Sequence, residues 1–470
     1  MKICIIGAGY VGLVTGCVLA NIGNKVTVVE KNKEKLRMLK NNQMPFFEEG
    51  MDELLNGVKE KNMIEFESNL KEVKGIIDIY MISVGTPLNQ EGIIDMTAFN
   101  SVIDEISSLS CNSGILVIKS TVPIGTSTLI EEYLNRGGKR WVTASNPEFL
   151  RQGSALKDTI EANRIIIGTN SNKVAKLLER LYRPLKRPIL IVDRNTSEMI
   201  KYASNAFLAT KISFANEISI LCEKVGADIK MVVKGMAMDP RIGGDFLGAG
   251  IGYGGSCLSK DLSSLINTAN KNNVEVAILK ATETVNQRQR MLLPYRLKEI
   301  YGRLKGLTVA LLGITFKPGT DDLRDAPSLD IIRYIIENGA DVRVYDPQDR
   351  ACKNVKNLFP EIYIAKDCYD ALSGADAILL LTEWSEIKDI NWKKARKLVN
   401  RRLILDGRNF LEIEDIEKYG FKYVGVGRGA YSPDSLKSLI NSCQFKKREI
   451  AKRECAYRGG INLADVKNIL

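Results

Sequence analysis

Apolar runs and polar punctuation recur along this chain in a repeating order. Residues 2–30, KICIIGAGYVGLVTGCVLANIGNKVTVVE, open with an apolar run of strand length and pass through a glycine cluster. They continue as a helix and close in a second apolar strand ending at Glu30. Two later runs, IIDIYMISVGTP (76–87) and GILVIKSTVPIGT (114–126), end in small polar residues, as buried strands do where their C-termini open into a ligand crevice. The opening pattern returns at 307–347, where GADVRVYD (339–346) aligns with GNKVTVVE (23–30). ADAILLLT (375–382) and RRLILDGRN (402–409) extend this second series. Between the two halves, TSEMIKYASNAFLATKISFANEISILCEKVG (196–226) predicts one long helix, with positions 201, 205, 208, 212 and 215 on a single stripe.

Strands alternating with helices predict parallel sheets. The expected fold class is α/β: two Rossmann-like doubly wound parallel-sheet domains joined by a long central helix. The boundaries expected are 1–195 for a dinucleotide-binding domain and 196–298 for a central helical region. A second sheet domain follows at 299–430, with a basic extension at 431–470. The glycines of the first half, Gly7, Gly9 and Gly12, follow a strand and open a helix, the context in which G-x-G-x-x-G accepts a pyrophosphate at the helix N-terminus. Glu30 at the end of the second strand can take ribose hydroxyls and would repel a 2′-phosphate. That favours NAD over NADP, with Lys31 and Lys35 as the opposing charges. In the second half GITFKP replaces the glycine fingerprint, which predicts a nucleotide-binding shape adapted to another ligand.

Composition narrows the chemistry. At 470 residues the chain exceeds one core, and 45% hydrophobic with 26% charged residues marks a globular protein. It contains no histidine, which removes the commonest metal ligand and the commonest acid–base group at neutral pH. Zinc alcohol dehydrogenases, histidine-base hydroxyacid dehydrogenases and Ser-His-Asp hydrolases become poor fits. The nine cysteines include no C-x-x-C pair, which argues against a disulfide framework and against a sulfur-ligated metal site. The net charge of +11 suits an anionic partner such as nucleotide phosphate and equally suits solvated lysine-rich helix faces. No arginine-rich, aromatic-interleaved stripe points to nucleic acid. The apolar first 23 residues are broken by glycines and carry a single early charge, Lys2, so a cytoplasmic chain without a membrane span is expected.

Three features stand open on pattern alone. Thr86–Pro87 and Ser120–Thr121 lie at strand ends where a cofactor would rest, or serve ordinary turn chemistry. Lys201 and Asn205 share the apolar stripe of the long helix. Either they face a site, or Lys201 snorkels past the stripe's end and Asn205 finds a backbone partner. Cys257, inside GIGYGGSCLSKD (250–261), could be a nucleophile, a ligand or filler.

In order along the chain, GAGYVG (7–12), SVGTP (83–87), KSTVPIGT (119–126), NPEFL (146–150), KYASNAFLATKISF (201–214), DPRIG (239–243), GIGYGGSC..KD (250–261), FKPGTDDLRDAPS (316–328), TEW (382–384) and DGRN (406–409) resemble the UDP-glucose 6-dehydrogenases, within the UDP-glucose/GDP-mannose dehydrogenase family. The resemblance covers about residues 1–430. It implies oxidation of UDP-glucose at C6 to UDP-glucuronate, a polysaccharide precursor, with two NAD reduced per turnover through a Cys257 thiohemiacetal and thioester. It implies that Lys201 and Asn205 face the reacting oxygen, that Asp261 and Thr121 hold a water, and that Glu148 assists thioester hydrolysis. A cationic neighbour would help ionise the thiol. Carried over by motif position, the cofactor contacts are Gly7, Ala8, Gly9, Tyr10, Val11, Gly12, Glu30, Lys35, Thr86, Thr121, Gln152, Lys260 and Arg324. The sugar nucleotide would meet Glu148, Phe149, Leu150, Arg151, Gln152, Lys201 and Asn205. It would also meet the loop Gly248, Ala249, Gly250, Ile251, Gly252, Tyr253 and Gly254, together with Arg408. The resemblance further implies a homodimer through the central helix, with Arg241 reaching the neighbour's substrate.

Departures from the family pattern mark where activity could be retuned. Gln152 stands where the family usually has Glu, Glu49 where it has Pro, and Leu258–Ser259 where it has Phe–Pro, a change expected to loosen the loop that presents the thiol. The basic segment FKKREIAKRECAYR lies beyond the resemblance, as a tail, an oligomer contact or a docking element. Two rival readings remain: a dehydrogenase of GDP-mannose or a UDP-N-acetylhexosamine, and a catalytically impaired binding protein. In the enzymes acting on N-acetylated hexoses a histidine adjoins the cysteine, where this chain has Ser256.

Overall fold

The structure is a computed structural model and describes residues 1–89, 92–429, 431–434 and 436. The basic segment FKKREIAKRECAYR, with the tail, oligomer-contact and docking roles expected for it, therefore lies outside the described residues.

Eight short apolar segments form the first sheet: β1 (Lys2–Ile6), β2 (Lys25–Val29), β3 (Ile64–Glu67), β4 (Ile79–Ile82), β5 (Ser113–Ile118), β6 (Arg140–Ser145), β7 (Ile165–Gly168) and β8 (Ile189–Val192). Their order is β3-β2-β1-β4-β5-β6-β7-β8. Six strands run parallel; the β6–β7 step is antiparallel, and β7 and β8 are again parallel to each other. Nearly every residue of β1 and β2 is buried, as in a sheet covered by helices on both faces. The second sheet uses β9 (Thr308–Leu312), β10 (Asp341–Tyr345), β11 (Tyr363–Ile364), β12 (Ala377–Leu380), β13 (Leu403–Asp406) and β14 (Lys422–Gly425), in the order β11-β10-β9-β12-β13-β14. Both sheets reverse direction beside their first strand, at β1/β4 and at β9/β12, the switch points where a crevice opens.

The apolar run 76–87 is strand only over Ile79–Ile82; residues 83–87 leave the sheet. The strand ends of β1, β4, β5 and β6 thus deliver Gly7–Gly12, Ser83–Thr86, Lys119–Thr121 and Asn146–Glu148 to one edge. Close packing demands glycine there: a Cβ on Gly12 would lie 1.9 Å from the Gly7 carbonyl oxygen.

The central helix runs from Arg194 to Val225, 32 residues, two residues earlier than its sequence pattern suggests. Asp193 caps it by accepting from Thr196 N–H, and Gly226 in the left-handed region ends it. It packs on the helices Leu258–Lys271 and Ala277–Arg290 and on β7. A buried ion pair near its C-terminus joins it to the second sheet. Arg296 pairs with Glu223 and donates to Gly425 O at 3.0 Å, while Glu223 accepts from Gly427 N–H at 2.7 Å.

Removing one partner of such a pair leaves a buried charge exposed to no counter-ion. Arg296→Met is expected to cost about 3–5 kcal/mol, read as a fall in the urea midpoint. Adding Glu223→Gln should recover part of that loss; an unchanged midpoint in the single variant would show that the junction does not depend on the pair.

Candidate active site

The first half holds a cradle that fits a dinucleotide. Gly9 is the N-cap of the helix Tyr10–Asn21, and no side chain caps that helix. A Cβ added at Gly9 would meet nothing within 4 Å, so open space lies above the helix N-terminus. Ala8 and Val11 are tucked in or half-buried beneath it, and Tyr10 stacks on Phe46 with ring centroids 3.9 Å apart. At the end of β2 the Glu30 carboxylate accepts from Ala8 N–H at 3.0 Å and Asn32 N–H at 2.8 Å. Lys35 lies half-buried on the next helix. Thr86 Oγ1 donates to Thr121 O at 2.7 Å, tying the ends of β4 and β5 together. Arg324 comes from the second half, its guanidinium forked onto Asp322 at 2.6 Å, and Gln152 hydrogen-bonds the same carboxylate.

The second half closes the equivalent position. Asp346, at the end of β10, accepts from Ile314 and Thr315 N–H at 2.8 and 3.2 Å and from the Trp384 indole at 3.2 Å. Turned inward and covered by an indole, this acid has no free face for a ribose.

Between the halves lies a chamber of about 890 Å³ whose lining includes Lys119, Glu148, Lys201, Asn205, Cys257 and Lys317. Lys201 does not snorkel: it is 3% exposed, with Nζ 3.0 Å from Glu148 Oε1. Glu148 Oε2 also accepts from Leu150 N–H at 2.6 Å. Burial works to raise the Glu148 carboxyl, but the Lys201 ammonium, the Leu150 N–H and Lys119 together hold it below the usual carboxylate range. Burial likewise opposes charge on Lys201, and Glu148 and Asp261 more than offset it, so this ammonium stays protonated. One turn along, Asn205 Nδ2 donates to a side chain, Asp261 Oδ2, at 2.5 Å. Lys260 Nζ holds the other oxygen of Asp261 at 2.5 Å.

Cys257 is the exposed cysteine among those described and the N-cap of the helix Leu258–Lys271. It opens to the chamber, yet protein crowds its thiol. That burial, with Glu148 second, pushes the thiol above its ordinary range despite Lys201. The expected cationic neighbour is Lys201, which does favour the thiolate, but in the free chain burial and the Glu148 carboxylate outweigh it. At the Leu258–Ser259 departure, Ser259 Oγ donates to Asp325, which Arg290 holds in turn, a side-chain tie on the segment that presents the thiol.

The loop Gly248–Gly254 borders a second cavity of about 330 Å³ with Lys317 and Arg408. Side-chain amides fix its backbone. Gly250 N–H donates to Asn216, Gly250 O accepts from Gln289, and Asn286 bonds both N–H and O of Tyr253 at 2.9 and 3.1 Å. Arg408 donates to Gly252 O and Phe316 O at 3.1 Å and to Leu381 O at 2.8 Å, and its Nε lies 3.4 Å from Glu383 Oε2, so it bridges loops as well as pairing with a carboxylate. A Cβ on Gly250 would lie 2.5 Å from Gly407 O, and one on Gly254 2.2 Å from Asp325 O. The protein's own loops therefore require these glycines before any ligand does. Ile251 is buried within this same packing.

Phe149 turns its ring to Arg164 and Lys201, 4.1 and 5.4 Å from the cations. Arg151 is exposed and paired with Asp158, and Arg241 is exposed and forked onto Asp239; neither side chain is held inside the chamber by these bonds. Sequence reasoning missed Lys119 and Lys317, both within motifs it used, and Asn286 and Gln289, whose partners are backbone atoms. A lysine closing an apolar strand, as in VIKST, was the available signal for the first.

A dinucleotide cradle, a thiol and a ring of buried lysine, amide and carboxylate groups define an NAD-linked oxidoreductase that operates without imidazole. The chain belongs to the UDP-glucose/GDP-mannose dehydrogenase family, whose NAD binding, central and UDP binding domains match residues 1–186, 195–288 and 310–413. It is 40% identical over 444 residues to a UDP-glucose 6-dehydrogenase of Pseudomonas aeruginosa, covering 91% of this chain and 98% of that one. A UDP-glucose dehydrogenase structure from Pyrobaculum islandicum superimposes with a TM-score of 0.84 at 31% identity, over 91% of this chain and 98% of the other. A UDP-D-ManNAc dehydrogenase structure from Pyrococcus horikoshii gives 0.82 at 27%, over 92% and 100%. NAD is thus the cofactor, and the substrate is a nucleotide sugar.

The charge arrangement predicts thiol reactivity. In the free chain, the pH midpoint for iodoacetamide alkylation of Cys257, with Cys257→Ser as blank, should lie above that of an unstructured cysteine. Lys201→Met should raise it further and Glu148→Gln should lower it; the reverse order would contradict the electrostatics described.

Proposed function

We propose that this chain oxidises the C6 alcohol of UDP-glucose to the carboxylate of UDP-glucuronate through a covalent Cys257 intermediate. The observation that carries this reading is the meeting of Cys257, Lys201–Glu148 and Asn205–Asp261–Lys260 in one chamber. Bound NAD supplies the hydride acceptor for each of two oxidations. It would rest on Gly7–Gly12 and Glu30, with Lys35, Thr86, Thr121, Gln152, Lys260 and Arg324 around it.

In the first oxidation a water held by Asp261 and Thr121 takes the hydroxyl proton as C6 loses hydride. Lys201 and Asn205 donate to the oxygen. The Cys257 sulfur then adds to the aldehyde carbon and its proton goes to the oxygen, which gives a thiohemiacetal and keeps the aldehyde from escaping. Loss of the second hydride and of the hydroxyl proton leaves a thioester. Glu148 takes a proton from a water that adds to the thioester carbonyl; the C–S bond breaks and the proton returns to sulfur. Two hydrides and one water account for the conversion of alcohol to acid. Lys317, Arg408 and the Gly248–Gly254 loop would bind the nucleotide diphosphate, and Glu148–Gln152 the sugar side.

A homodimer belongs to this reading. The central helix exposes Phe207, Phe214 and Leu221 at seven-residue spacing, 65%, 47% and 57% exposed, a stripe suited to a second copy of the same helix. Arg241, exposed in the single chain, would then reach the neighbour's substrate. No helix among the described residues is long and apolar enough to cross a membrane, and we place the reaction in the cytoplasm.

With limiting UDP-glucose and excess NAD, two NADH should form per sugar. Turnover only with GDP-mannose or a UDP-N-acetylhexosamine would reassign the substrate, and none with any of them would support a binding role. Cys257→Ser should abolish UDP-glucuronate formation while retaining NAD binding, and Lys201→Ala or Asn205→Ala should each lower kcat by about 10²–10³-fold. Phe214→Asp should shift the species seen by light scattering from dimer to monomer; an unchanged mass would remove the helix from the interface.

A further inference from the structure

Lys119, at the end of β5, is a buried cation to which the mechanism above gives no task. Its residue is 8% exposed, and its backbone N–H donates to Ile82 O at 2.9 Å, which turns the side chain into the chamber wall. Nζ donates to Asn146 Oδ1 at 3.2 Å and Asn146 O at 3.4 Å. Asn146 is itself locked: Nδ2 donates to Ile166 O at 2.7 Å, and Oδ1 also accepts from the Tyr182 hydroxyl at 2.5 Å. Both neighbours are nearly dry, Asn146 at 1% and Tyr182 at 5% exposed. The ammonium is thus fixed on Asn146, two residues before Glu148 in the chain.

The charged groups acting on Lys119 are Glu148, which favours its ammonium, and Lys201, which opposes it. Burial outweighs Glu148 and brings Lys119 down to about 8. An ammonium whose hydrogen bonds, among the described residues, go to the amide and carbonyl oxygens of Asn146 and to no carboxylate is costly to bury. The cost has a use in the reaction. Lys201 must turn to the C6 oxygen, but in the free chain it holds Glu148 at 3.0 Å. If Glu148 then stood alone in a dry cavity it would take a proton and could not accept one from the hydrolytic water.

We propose that Lys119 is a positioning residue: its ammonium anchors the Asn146–Glu148 turn and remains beside the Glu148 carboxylate while Lys201 serves the reacting oxygen. This rests on the thioester reading for its consequence, since the step affected is hydrolysis. It does not rest on that reading for the electrostatic contact itself.

The test compares Lys119→Met and Lys119→Arg with the parent by two readouts. The first is an infrared titration of the protonated-carboxyl band that disappears in Glu148→Gln, which needs no substrate. Its midpoint should rise by about one pH unit in Lys119→Met and return in Lys119→Arg. The second is the pH profile of kcat with UDP-glucose and NAD: the acidic limb should move up by the same amount in Lys119→Met, with KM for NAD within about twofold. An unshifted carboxyl midpoint would overturn the proposal, as would a loss of kcat equal at every pH and not rescued by arginine. Lys119→Gln takes the place of the methionine variant if that one fails to fold. A parent that does not oxidise UDP-glucose would sink the preceding reading alone, because the infrared titration would still decide Lys119.

Discussion

An ammonium and a carboxylate, both nearly dry and 3.0 Å apart, set the terms for the rest of this site. Neither Lys201 nor Glu148 is tolerable alone at that depth; each makes the other affordable only with further polar partners. Those partners come from distant places in the chain. The central helix brings Lys201, β6 brings Asn146–Glu148 and β5 brings Lys119. The helix Leu258–Lys271 brings Asp261, and Asn205 joins that carboxylate to the Lys201 face of the central helix. The thiol at the start of that helix is governed by the same balance, since the charges around it both lower and raise its affinity for a proton.

Duplication of one α/β pattern then supports two different tasks. In the first half Glu30 sits half-buried at the rim of an open glycine turn, with its oxygens on two N–H groups. In the second half the matching Asp346 is buried beneath Trp384 and its hydrogen bonds are directed at the loop Ile314–Thr315. The same position therefore borders an open turn in one sheet and braces a loop in the other. That brace matters, because the loop leads to Phe316 and Lys317 at the edge of both cavities. The glycine-rich segment before Cys257 shows the same economy. Its backbone is held by Asn216, Asn286, Gln289 and Arg408, and its glycines let it lie against Gly407 and Asp325.

Much of the architecture was legible in local pattern. Strand-length apolar runs, the turn at Gly7–Gly12 and the long helical stripe follow from periodicities that neighbouring residues impose on one another. The absence of histidine and the glycine-set Cys257 narrowed the chemistry, and the ordered motifs pointed to the family. Other features could not be read this way, because they depend on which distant atoms meet. The stripe left Lys201 open between solvent and site, and only the sheet end carrying Glu148 resolved it. Ser259 read as a departure from the family pattern, and that its hydroxyl reaches Asp325, 66 residues away, could not be seen along the chain. Lys119 passed unnoticed within a motif already in use, because nothing local shows that its ammonium meets Asn146 on the next strand end.

The sequence by itself determined the elements, their α/β order, the dinucleotide turn and the supply of reactive groups, since these follow from spacing and residue type along a few turns of chain. Only the tertiary structure decided the charge states and the partners. A pKa depends on burial and on charges brought in from other elements, and no linear pattern encodes those distances. The thiol's raised affinity for its proton, the commitment of Lys201 to Glu148 and the seating of the Lys119 ammonium on Asn146 all belong to this class.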